Sequence, residues 1–102
     1  MPTLTAKRVT FYSHGDEVAF FHWIANIACV DAVEGVGEEL LLHIRRRRIS
    51  DENLRELIGL FHRYRVSMRQ LAQFKTSRNE KWFAAPEKFW FKRVFGPQKR
   101  KA

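Results

Sequence analysis

Much that would assign a function is missing from this 102-residue chain. It has a single cysteine, Cys29, so no intrachain disulfide can form. That thiol lies in the apolar run Ile27-Ala28-Cys29-Val30, which suggests a buried structural role and a reducing, cytoplasmic setting. No run approaches the ~20 apolar residues that a bilayer span requires, and no apolar signal segment follows Met1-Pro2-Thr3. Membrane attachment is therefore not expected. Five glycines fall in neither GxGxxG nor GxxxxGK[ST] order, which removes the usual nucleotide cradles. The four histidines, His14, His22, His43 and His62, show no HxH or HxxxH spacing, and there is no CxxC. A zinc site of the usual kind is not expected, nor is any other cofactor. Ser13 and His14 lie beside Asp16 without G-x-S-x-G or any other nucleophile motif, and helix capping explains all three. The expectation is a protein that is not an enzyme.

Acidic residues are scarce in one half. Residues 1–44 carry two basic and six acidic side chains, net −4, whereas residues 45–102 carry seventeen basic and five acidic, net +12. Charge this one-sided raises the local concentration of oppositely charged partners and speeds their encounter. The step begins at Arg45, Arg46, Arg47 and Arg48.

What is plentiful is aromatic: nine Phe, three Trp and two Tyr in one domain's length of chain. Each large ring buries roughly 150–250 Å², so few side chains fill a small core. With 45% hydrophobic residues the composition is that of an ordinary globular domain.

Lys7-Arg8-Val9-Thr10-Phe11-Tyr12 is rich in β-branched and aromatic residues and predicts a strand. Asp16 and Glu17 then open a helix over 18–27, with Val18, Phe21, Ile24 and Ala25 on one stripe widened by Phe20, Trp23 and Ile27. Alternation at 30–34 and 40–44, separated by Gly35-Val36-Gly37-Glu38, predicts a hairpin with Leu40, Leu42 and Ile44 facing the helices. Ser50 caps the clearest helix, whose core stripe is Leu54, Leu57, Ile58 and Phe61. Ser67 and Gln70 read as a capping box for a short helix with Met68, Leu71 and Ala72; a fourth strand near 66–68 is the alternative. Asn79 caps a turn with Trp82 and Phe83, and Pro86 opens a last helix over 86–95 that Gly96-Pro97 ends.

The expected fold is α+β: a two-layer sandwich in which a small, mostly antiparallel sheet of three strands, or four, carries helices on one face, in the order β-α-β-β-α-α-α. Residues 1–96 form a single domain, and 97–102 are a basic flexible tail. No motif names a family.

Two functional readings follow from the charge. The first is a small binding module for an anionic partner, nucleic acid foremost, through Arg45, Arg46, Arg47, Arg48, Arg63, Arg65, Arg69, Lys92 and Arg93. Guanidinium forks bind phosphate oxygens bidentately, and rings interleaved with cations are a common grip on single strands. Core packing nonetheless claims most of the rings at 74–95, leaving one or two for a partner. The second reading is a protein-interaction or inhibitor (immunity-type) module that meets an acidic or basic protein surface. The sign split also permits a homodimer.

Overall fold

The computed structural model describes residues 2–96. The fold is α+β. Three strands, β1 (Thr3–Lys7), β2 (Val30–Val36) and β3 (Glu39–Ile44), form one antiparallel sheet in the order β1-β3-β2. Leu42, in the central strand, stands opposite Leu4 on one side and Val33 on the other, and Leu40 stands opposite Ala6. Residues opposite one another share a face. Leu4, Ala6, Leu42 and Ile44 are therefore buried together, and Leu40, Val30 and Val33 pack against them. The expected hairpin is present, closed by the two-residue loop Gly37-Glu38. Gly37 takes a φ of 61°, the left-handed conformation that a tight hairpin loop demands of its first residue.

The expected first strand lies elsewhere. Pairing with β3 selects Thr3–Lys7, and the chain leaves the sheet at Arg8, whose φ is 50°. Phe11 turns inward instead, packing against Phe20 at 5.2 Å and Tyr64 at 6.2 Å between ring centres. The side chain of Gln70 protects the free edge of β1. Its Oε1 accepts from the Thr5 N–H and its Nε2 donates to the Thr5 carbonyl, both at 2.8 Å. One amide thus plays the part of a neighbouring strand residue.

Helix α1 (His14–Ala25) starts at Ser13, whose Oγ accepts from the Asp16 N–H. Only Phe20 and Ile24 of this helix are buried, while Val18 is 52% and Phe21 37% exposed, so the broad covered stripe expected there is narrower. Helix α2 (Asp51–Arg63) follows its pattern closely. Ser50 caps it, accepting from Asn53, and Leu54, Leu57, Ile58 and Phe61 are buried, joined by Leu60. Asn53 does further work: its Oδ1 accepts from the Cys29 N–H at 3.3 Å, tying α2 to the start of β2.

The remainder is a set of short pieces: a 3-10 turn (Arg69–Phe74), α3 (Glu80–Phe83) and α4 (Phe91–Phe95). No strand forms at 66–68. Ser67 is not a cap: the 3-10 turn starts after Met68 with no side-chain cap bond, and the Gln70 amide is engaged with Thr5 and with the Ser67 carbonyl. Asn79, 4% exposed, bonds the Thr76 N–H and the Phe74 carbonyl, folding the loop that precedes α3. The last helix begins at Phe91, not Pro86. Trp90 Nε1 donates to the Phe83 carbonyl at 2.7 Å, which holds 86–90 in turns. Its end needs Gly96, where a Cβ would come within 2.5 Å of the Lys92 carbonyl oxygen. The guanidinium of Arg69 donates to the Val94 and Gly96 carbonyls and so fastens α4 to the 3-10 turn. Among the described residues no helix is long and apolar enough to cross a membrane. The tail expected at 97–102 lies outside the described residues.

Candidate anion-binding site

The carboxyl end of α2 is where basic side chains converge. The helix closes on Tyr64, the Arg65 N–H turns back to the His62 carbonyl at 3.4 Å, and the Val66 N–H reaches the Phe61 carbonyl at 2.9 Å. This is a Schellman ending, whose pivotal residue is commonly glycine. Here it is Arg65, with φ 59°. Across from it stands Arg8, the other non-glycine residue with a left-handed backbone among the described residues. Both line a cleft of about 370 Å³ together with Thr10, Tyr12, Asp16, Arg63 and Tyr64.

One carboxylate lies in this cleft, and each of its oxygens accepts a hydrogen bond. Asp16 Oδ1 accepts from the Tyr64 hydroxyl at 3.0 Å, and Oδ2 accepts from the Tyr12 N–H at 3.0 Å. Loss of hydration raises the Tyr64 hydroxyl above its ordinary pKa, and the bond to Asp16 and its charge raise it further, against the lowering pull of Arg63. Tyr64 therefore stays a neutral donor. Arg8 is paired with Glu38 at 2.8 Å on open surface, where such a pair contributes little and exchanges readily. Among the described residues, no carboxylate lies within 4.0 Å of the guanidinium of Arg63 or Arg65.

A second cleft, about 680 Å³, adjoins the first through Arg65 and is lined also by Lys7, Arg69, Gln70 and Thr5. In the last turn of α2, His62 Nδ1 accepts from Arg93 Nη1 at 2.8 Å. A guanidinium has no acceptor, so Nδ1 must be the bare nitrogen of that imidazole. The negative end of the α2 dipole favours this gathering of cations.

The arginine run lies at the other end of α2. Arg45 pairs with Asp31 at 3.1 Å; Arg46, Arg47 and Arg48 are exposed. Arg48 shares a cleft of about 460 Å³ with Arg78, Ser50 and Asp51. A thirteen-residue helix is about 20 Å long. The nine basic residues singled out in the sequence thus divide: Arg63, Arg65, Arg69 and Arg93 gather at one end of α2 and Arg45–48 at the other. Lys92 is exposed on α4. The acids adjacent to the run, Asp51 and Glu52, make no ion pair with it among the described residues; Asp31 of the hairpin pairs with Arg45 instead.

Neither Arg8 nor Arg78 is among those nine. Arg8 belongs to the acidic half of the chain, so a charge count by halves hides it. No local pattern marks it, because its place depends on β1 ending where it does. Also unforeseen is a row on the outer face of the sheet, where Thr3 Oγ1 lies 3.3 Å from His43 Nδ1 and His43 Nε2 lies 3.0 Å from Glu34. These are cross-strand neighbours on an exposed surface. Among the described residues no group of three or more His, Cys, Asp or Glu is placed to hold a metal ion.

Comparison with protein-family models, with curated proteins and with solved structures gives no match.

Proposed function

We propose that this protein is a small, non-enzymatic binding module for a polyanion, nucleic acid foremost, held through the basic surface at the carboxyl end of α2. The observation that carries this reading is the cleft in which Arg63 and Arg65 lack carboxylate partners among the described residues while the local acid, Asp16, is occupied by Tyr64 and Tyr12. Cationic forks without a carboxylate partner suit phosphate oxygens. The run at 45–48 supplies a second contact about 20 Å away along α2. That separation spans on the order of a dozen phosphate charges of duplex axis, so both ends can engage one polymer. The single buried thiol, Cys29, suits a cytoplasmic setting.

Titration of the protein into a fluorescent oligonucleotide at 50 and 200 mM salt tests the reading. Affinity falls steeply between the two if phosphates are neutralised and counterions released. Equal affinity at both, or none at either, overturns it.

A second reading, a protein-interaction or inhibitor module, draws on a groove that adjoins the first cleft at Arg8. There Phe11, Phe21 and Leu40 line a groove of about 530 Å³ with Glu17, Glu38, Glu39 and Arg8, which pairs with Glu38; the excess of acid suits a basic, partly apolar protein segment. A stoichiometric partner that survives nuclease treatment and is lost on Phe21→Asp would favour this reading over the first.

A further inference from the structure

Of the rings at 74–95, Phe89 is the one left exposed. It is 60% exposed, whereas Trp82, Phe83, Trp90 and Phe95 around it are buried or packed against the core. It is nevertheless held firmly. The His62 ring meets it at 4.7 Å and the Trp90 ring at 5.0 Å, both in edge-to-face contact. Both supports are themselves fixed: Trp90 by its indole bond to the Phe83 carbonyl, and His62 by the bond from Arg93. Cations flank this ring cluster. Arg93 is bound to His62, and the Lys88 ammonium lies 5.8 Å from the centre of the Trp90 ring.

A ring that stays in water yet is braced on two sides has lost the freedom that stacking would otherwise cost. An aromatic face beside cations is the arrangement on which an unpaired base stacks while its phosphate is gripped. Paired bases inside a duplex are already stacked and offer no face to a side chain. We infer that Phe89 is a stacking platform for one unpaired base, with Arg93 and Lys88 holding the flanking phosphates, so that the module prefers single-stranded nucleic acid to duplex. This inference rests on the polyanion reading above and adds to it the strandedness of the ligand.

The test uses the full chain with a single-stranded oligonucleotide carrying 2-aminopurine, whose fluorescence is quenched on stacking, and a hairpin duplex of the same length. Wild type quenches the probe and prefers the single strand. Phe89→Leu keeps the apolar bulk but removes the π face, and should lower the single-strand preference about ten-fold and abolish the quench. Phe89→Trp should retain both. Since the side chain is mostly in water, neither variant threatens folding. Unchanged quenching and preference in Phe89→Leu, or no single-strand preference in wild type, overturns the stacking inference while leaving a salt-dependent polyanion binder intact. Absence of binding to either nucleic acid at low salt overturns both.

Discussion

Arg8 and Arg65 meet at one cleft from different layers of the fold, the first leaving strand β1 and the second leaving helix α2, and both hold left-handed backbone, at φ 50° and 59°. For a residue with a Cβ, that conformation costs on the order of 1–2 kcal/mol. Backbone bonds impose it: the Arg8 N–H is held by the Glu38 carbonyl at 3.0 Å, and Arg65 by the Schellman ending. Glycine would meet the same geometry at less cost. On the proposed polyanion reading, arginine at both places is kept for its side chain.

Arg65→Gly should therefore separate stability from binding. The variant is expected to unfold at higher urea concentration, gaining about 1 kcal/mol, and to bind a polyanion more weakly. A loss of stability instead would mean that the Arg65 side chain is a structural strut.

Tyr64→Phe removes the bond to Asp16 and should cost about 1–2 kcal/mol near neutral pH. The folded protein raises the Tyr64 pKa above the ordinary value of 10.0, first through burial and then through Asp16. A raised pKa gives stability that is complete below the unfolded value and lost as pH climbs through the folded one. The difference in stability between wild type and Tyr64→Phe should thus be constant below about pH 10 and shrink above it, as read by urea unfolding across pH.

Gln70→Ala strips the edge of β1 of its surrogate strand. Loss of about 1–2 kcal/mol is expected, with self-association at high concentration as the Thr5 backbone seeks other partners. Urea unfolding and light scattering read the two effects, and an unchanged midpoint would show that water replaces the amide fully.

Cys29 is buried, and desolvation raises its thiol pKa against the lowering influence of its backbone hydrogen bond and of Arg45. A thiol reagent at pH 8 should react slowly with the native chain and rapidly in denaturant. Rapid native labelling would place the Cys29 region in an open state.

Legibility in the sequence followed locality. Ser50 capping α2 and the alternation through Leu40, Leu42 and Ile44 are signals carried within a few residues, and the helix and hairpin stand where those signals put them. The strand expected at 7–12 failed because β propensity does not choose a partner; the pairing of Leu4 with Leu42 does. The helix expected at 86–95 ends where expected but starts only at Phe91, because Trp90 bonds Phe83 and Phe89 turns outward, contacts that no window of sequence contains. The cleft itself was half legible. Arg63 and Arg65 are among the nine basic residues singled out, while Arg8 and the engagement of Asp16 by Tyr64 depend on contacts across dozens of residues.

The most direct measurement is the slope of log affinity against log salt for an oligonucleotide, compared between wild type and the Arg63→Ala/Arg65→Ala double variant. Each phosphate contact contributes about 0.7–0.9 to that slope, so removing both guanidinium groups should flatten it by roughly 1.5 while the protein remains folded. Superimposable slopes would mean that these two arginines do not touch the polymer, and the cleft at the end of α2 would not be the binding surface.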